Sequence, residues 1–172
     1  MHRGFLEAKI EPSEGKRFAV VRLDGGIGPP DGVQARQFVD AITQLGECQV
    51  LYLTLNSPGG SLIDTWIIYD FLMKDSAQRE QSLALISGEC SRDAILIPMA
   101  FQRILMRIGS YIQFEPAQLT KATSSRQVTL LIARLIAQRI RRRPEEVLDW
   151  MDSNRTLSAE DCLRLSLCDA II

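Results

Sequence analysis

Apolar residues along the chain gather in short continuous runs separated by stretches with helical spacing. FAVVRL (Phe18 to Leu23), VLYLTL (Val50 to Leu55) and SLALI (Ser82 to Ile86) are such runs. Their near-continuous hydrophobicity predicts strands covered on both faces, as in a parallel sheet. The runs start at 18, 50 and 82, a spacing of 32 each time. Between them Phe38, Ala41, Ile42 and Leu45 follow i, i+3, i+4, i+7, and Leu62 to Lys74 is a second helical segment. A β-α unit repeated at this spacing predicts a layered α/β fold.

A third helix is expected over Arg92 to Ala100, then a short strand in RILMRI (Arg103 to Ile108). Val128, Leu131, Ile132, Leu135 and Ile136 form one apolar stripe, which predicts a long helix from Ser125 to about Arg142. Pro144 suits the first position of the next helix, with Glu145 and Glu146 in its first turn, and Ser158 with Asp161 resembles a capping pair opening a last one. One domain is expected over 1–172, with an N-terminal arm (1–17), a mobile loop (109–124) and a helical, handle-like segment (125–152).

Composition narrows the chemistry. The formal charge is −1, which gives no general attraction to nucleic acid or to an anionic membrane. Arg139, Arg141, Arg142 and Arg143 point around a helix end without interleaved aromatics, the pattern of a solvated terminus. No apolar stretch approaches a membrane span, and the start lacks the apolar centre of a signal peptide, so a cytoplasmic location is expected. Cys48, Cys90, Cys162 and Cys168 show no CxxC spacing and are expected to be reduced and buried; neither a metal nor a cofactor is indicated. The one histidine is His2, beside the first Met, so no histidine is offered for a proton shuttle on the folded body.

Asn56-Ser57-Pro58-Gly59-Gly60-Ser61 stands between the most apolar strand and a helix. Pro58 fixes one φ angle, and the two glycines permit close approaches that a Cβ would block. Such a turn presents amide N–H groups at a positive helix end, suited to a developing oxyanion, and it is equally the shape of an ordinary tight turn.

The whole stretch LYLTLNSPGGSLIDTWIIYDFLMK, Leu51 to Lys74, closely resembles the segment that marks the proteolytic subunit of the Clp protease family (ClpP). Its turn is similar, more weakly, to that of signal peptide peptidase (SppA-like) proteins. Far away, Asn154-Arg155-Thr156-Leu157-Ser158-Ala159-Glu160-Asp161, with Leu163 and Cys168-Asp169-Ala170-Ile171, resembles the Clp family's C-terminal DRxLSAEEA and LID segments in the same order. The resemblance covers about Phe18 to Ile172. It implies a ClpP/crotonase-like fold, a right-handed β-β-α spiral with a C-terminal helical segment.

The resemblance also implies a site. Within Ile86-Ser87-Gly88-Glu89-Cys90-Ser91-Arg92-Asp93-Ala94 the nucleophile position falls on Ser91, although Asp93 replaces a family glycine and the spacing from Gly88 is one residue short. The amides of Gly60 and Arg92 would form the oxyanion hole, with Gly59 and Ser61 binding substrate. The family's histidine falls on Phe114, in Tyr111 to Pro116, and its acid on Asn154. Neither residue can take a proton from a serine at neutral pH. Losing a triad member costs on the order of 10⁴ in turnover, which argues against triad hydrolysis. Substitute bases are Lys121, Glu89, Asp93 and Glu115; Cys90 as nucleophile lacks an activator, and Ser91 also fits a routine N-cap.

Three functions fit these residues. The first is an inactive or strongly impaired oligomeric subunit that binds a peptide or protein, alone or with an active paralogue or an unfoldase, packing its Val128 to Ile136 stripe against a neighbour. The second is a serine hydrolase using Ser91 with Lys121 or a carboxylate as base. The third is a crotonase-type enzyme that holds an acyl-CoA on paired amides.

Overall fold

The computed structural model describes residues 3–13, 15–120 and 123–172. Its first element is a strand absent from the run-based expectation: β1 (Phe5–Ser13) pairs antiparallel with β2 (Lys16–Asp24), so most of the expected N-terminal arm is a hairpin edge. From Phe5 to Glu11 the residues of β1 alternate between exposed and half-buried, with charges at three of the exposed positions, and Pro12 and Ser13 are exposed.

From β2 onward the 32-residue period governs the sheet. α1 (Ala35–Leu45) leads to β3 (Val50–Ser57), and α2 (Leu62–Gln78) leads to β4 (Gln81–Ser91). β2, β3 and β4 run parallel with Phe18 opposite Val50 and Val50 opposite Gln81. Ala19, Val21, Leu23, Leu51, Leu53, Leu55, Ala84 and Ile86 are buried and share one face of the sheet, while Val20, Tyr52, Thr54 and Leu83 on the other are half-buried and Arg22 is exposed, so the expected covering of both faces is only partial. Each fully buried Leu or Ile contributes about 1.5–3 kcal/mol relative to exposure. After a 3₁₀ turn (Arg92–Ile95) and α3 (Leu96–Met99), β5 (Arg103–Met106) extends the sheet beside β4.

Within the stretch expected to be a mobile loop, β6 (Tyr111–Gln113) pairs with the end of β4, and β7 (Gln118–Thr120) pairs with β8 (Thr123–Ser124). α4 (Arg126–Ile140) and α5 (Pro144–Asp152) pack against each other. Ser125 caps α4, and Pro144 opens α5 with Glu145 and Glu146 in its first turn. β9 (Thr156–Ser158) pairs antiparallel with β6, α6 (Ala159–Arg164) starts on the Ser158–Asp161 capping box, and β10 (Ala170–Ile171) lies parallel to β5. The main strand order is β1-β2-β3-β4-β5-β10.

The α4 stripe is turned relative to expectation. Its buried face is Thr129, Ile132, Ala133, Ile136, Ala137 and Ile140, while Leu131 is 45% exposed. Ile132 and Ile136 therefore serve the chain's own core and are not available to a neighbouring subunit. All four cysteines are buried and free. No described helix is long and apolar enough to cross a membrane.

Candidate functional site

The turn at Asn56–Ser61 and the end of β4 lie side by side. Ser61 caps α2 by accepting the Asp64 N–H. Gly59 has φ 81°, and a Cβ there would sit 2.9 Å from the Ser91 carbonyl oxygen and 2.8 Å from Asp93 Oδ1. At Gly60 a Cβ would sit 2.1 Å from the Ile27 carbonyl oxygen. The glycine pair is thus demanded by close backbone approach from both sides.

β4 does not leave the sheet at Gly88. Its pairing with β3 passes from Leu55 opposite Ile86 to Ser57 opposite Cys90, so Ser87, Gly88 and Glu89 bulge opposite Asn56. Asn56 Oδ1 accepts the Glu89 N–H at 2.8 Å and holds the bulge in place.

Ser91 closes the strand, and Arg92, at φ 57°, turns the chain into the 3₁₀ segment. Ser91 is 2% exposed and its Oγ donates to Glu89 Oε1 at 2.7 Å. Glu89, Cys90 and Ser91 align with Tyr111, Ile112 and Gln113 of β6. Alternation therefore places Glu89, Ser91, Tyr111 and Gln113 on one face of this ladder, and the buried Cys90 and Ile112 on the other. Burial raises the Tyr111 phenol above its ordinary value, and the nearby Glu89 carboxylate adds to the shift.

Phe114 follows Gln113 and packs into the core, fully buried, its ring centroid 5.4 Å from that of Trp150 in an edge-on pair. Its N–H donates to the Arg155 carbonyl at 2.8 Å, which brings the backbones at 114 and 154–155 together. Asn154 is exposed in the turn after α5, with φ 50°. The three positions named by the resemblance thus converge through their backbones. Among the described residues, however, no side-chain hydrogen bond links Ser91 to Phe114 or Asn154. Lys121 lies outside the described residues.

The amide expected to bind an oxyanion already has a partner. Asp93, 8% exposed, accepts the Gly60 N–H through Oδ1 at 3.2 Å and the Thr65 hydroxyl through Oδ2 at 2.5 Å. Arg92 is expected to contribute its backbone amide; its guanidinium lies with Nε 3.7 Å from Glu115 Oε2 and Nη2 donating to Gln118 at 3.4 Å. Glu115 also accepts from Gln113 Nε2 at 3.2 Å. Burial drives the Cys90 thiol far above its ordinary pKa, and Cys162, Asp93 and Glu89 push it the same way, so no thiolate is available there. Glu89 also lines a cleft of about 360 Å³ with Arg22, Asp24, Asn56 and Pro58.

Two residues enter this picture from the structure alone. Thr65 is one turn into α2, and its spacing from Asp93 carries no local signal; Tyr111 joins Glu89 through the β4–β6 register. The available cue was the acid at a position where the resembled family has glycine.

No family model and no curated protein sequence matches this chain. Its structure is similar to that of a ClpP1 mutant from Listeria monocytogenes, with a TM-score of 0.74 and 18% sequence identity, covering 89% of this chain and 90% of that one. The chain has the ClpP-like fold, a mixed α/β architecture on a central sheet.

Proposed function

We propose that the chain is a Clp-peptidase-family subunit that has lost triad hydrolysis and serves as a binding subunit for a peptide or protein, in a homo-oligomer or beside an active paralogue. The observation that carries this reading is the Gly60 N–H held by the Asp93 carboxylate. Acyl transfer needs that amide when negative charge develops on the carbonyl oxygen, and a resident carboxylate both fills the place and repels the charge. Phe114 in the core and Asn154 in solvent add that neither a base nor its orienting acid stands at those positions. Ile63 and Ile67 on α2, 67% and 48% exposed, leave apolar surface just beyond the turn for a partner.

One observation favours a second reading, a serine hydrolase with a carboxylate base. The Ser91 hydroxyl donates to Glu89 at 2.7 Å, the geometry of a nucleophile and its base. At 2% exposure that hydroxyl has little room for a substrate carbonyl.

Fluorophosphonate labelling with peptide turnover separates the two. The binding-subunit reading expects neither. Labelling and turnover that are lost in both Ser91→Ala and Glu89→Gln would establish the hydrolase instead. A melting temperature raised by an acyl-CoA would favour thioester chemistry over both. Light scattering is expected to give a mass above one chain at micromolar concentration, and a single-chain mass throughout would remove the oligomer.

A further inference from the structure

Strand β1 ends the sheet, and no strand covers its outer edge among the described residues. We propose that this edge is a self-recognition surface, where β1 of a second copy of this chain pairs antiparallel about a two-fold axis at Ala8 and joins the two sheets.

The backbone sets which residues are available. The β1–β2 ladder closes at Ser13 opposite Lys16, with two residues between them. Two-residue hairpin loops close on a hydrogen-bonded pair, so the odd-numbered residues of β1 turn their N–H and C=O groups toward β2. The even-numbered Leu6, Ala8 and Ile10 then turn theirs outward. Gly4 agrees with this parity, because its N–H goes to the Asp31 carbonyl at 2.7 Å and not to β2. At the far end Pro12 has no N–H to offer. Asp31 and Pro12 therefore bound a free edge of five residues, Leu6 to Ile10.

Within that window the sequence is complementary to itself when reversed. Pairing about Ala8 sets Leu6 against Ile10 of the partner subunit, Glu7 against the partner's Lys9, and Ala8 against the partner's Ala8. The two-fold repeats the first two pairs. Leu6, Ala8 and Ile10 are the outward-bonding residues, so the pairing supplies a reciprocal hydrogen-bonded pair at each of three positions along the seam. Their side chains are half-buried on the core side, leaving apolar surface for Leu6 and Ile10 to cover in each other. Glu7 and Lys9 are exposed on the opposite face, where Lys9 pairs with Glu11 at 2.8 Å.

A lysine and a proline on an edge strand ordinarily repel strand addition. Here the same two residues act as a filter. Pro12 limits the pairing length, and Lys9 is matched only by a strand that brings an acid to the facing position, which another copy in this one register does. Moving the axis to Lys9 keeps Ala8 opposite the partner's Ile10 as a bonded pair but sets Lys9 against the partner's Lys9 and Glu7 against the partner's Glu11. A slip of one residue opposes outward-bonding to inward-bonding positions and breaks the ladder.

The surface is distinct from the Ser91 site, and its test does not depend on that site's chemistry. Sedimentation equilibrium of the whole chain is expected to show a reversible dimer. Glu7→Lys and Lys9→Glu each convert two opposite-charge pairs to like-charge pairs and are expected to raise the dimer dissociation constant roughly tenfold. Mixing the two variants restores opposite charges at both pairs, so the heterodimer is expected to form at about the wild-type affinity. For a covalent readout, Ala8→Cys brings two Cα atoms to about 5.5 Å across the axis, within disulfide reach, whereas two copies of Glu11→Cys would stand roughly 20 Å apart. Disulfide dimers forming rapidly under mild oxidation for Ala8→Cys and slowly for Glu11→Cys would support the pairing. A monomer at every concentration, single reversals that leave association unchanged, variants that fail to complement when mixed, or equal cross-linking rates would each overturn it.

Discussion

Removing the Asp93 carboxylate should expose how firmly the turn is tied to the end of β4. In Asp93→Ala the Gly60 N–H and the fully buried Thr65 hydroxyl both lose their acceptor. A hydrogen bond to a charged group contributes about 1.5–3 kcal/mol, and each buried donor left unpaired costs about 1–3 kcal/mol. These overlap, so the expected loss is about 3 kcal/mol, well inside a total stability of about 5–15 kcal/mol. Asp93→Asn keeps an acceptor for Gly60 and lets the Thr65 hydroxyl rotate to accept from the new amide, so about 1 kcal/mol is expected. Thr65→Val removes one donor and leaves Oδ2 short of a partner, costing about 1–2 kcal/mol. The double variant should fall short of the sum of the two singles by at least about 1 kcal/mol, because both singles remove the same bond. Urea denaturation followed by tryptophan fluorescence gives the four values, provided the slope with urea is unchanged. Single effects that add to within about 0.5 kcal/mol, or an Asp93→Ala protein as stable as the parent, would refute the placement of this carboxylate between the turn and α2.

Two further outcomes follow. Phe114→Ala should cost about 3–5 kcal/mol from the cavity and the lost pair with Trp150, and Phe114→His should destabilise without creating peptide turnover, since the ring points into the core; turnover in that variant would contradict the packing. All four thiols should resist a disulfide reagent at pH 8 in the folded chain and react fully in urea. Burial pushes the Cys168 thiol up to about 11 from an ordinary 9.0, so the folded state keeps its proton longer, and the stability this confers is present below pH 9 and lost as pH rises toward 11. Rapid native labelling at pH 8, or stability that rises over that interval, would refute it.

Elements with continuous apolar runs announced themselves in the sequence. β2, β3 and β4 begin within two residues of the apolar runs, and α1 and α2 fill the intervals between them. β1 did not, because FLEAKIE buries one face by half and places three charged residues on the other, so the alternation is short and polar. β6 is three residues long and owes its conformation to β4 and β9 on either side. α4 shows a related limit. Its apolar residues are spread too widely around the helix for periodicity to choose a face, and the packed neighbours α3 and α5 select the side that carries Ala133 and Ala137 over the side that carries Leu131.

The site was legible as a place and illegible as a set of side-chain directions. The NSPGG turn and the segment after α5 mark where the chain converges, and the backbone bond from Phe114 to Arg155 ties the second of them to β6, which pairs with the end of β4. The bulge at Ser87–Glu89 sets three residues against Asn56 alone, so the faces of β4 keep their order while the residues beyond it stand two positions earlier against β3. The Glu89 N–H bond to Asn56 supports this offset, and no local pattern announces it. With the bulge in place, Ser91 turns its hydroxyl to Glu89 while the next-but-one residue, Asp93, swings past Gly59 to reach Gly60 and Thr65. A glycine at 93 would leave the Gly60 amide without that carboxylate; the aspartate fills it and braces α2 at the same time. The aspartate that occupies the Gly60 amide therefore also stabilises the turn, and the fold closes around a site whose expected oxyanion donor is already engaged.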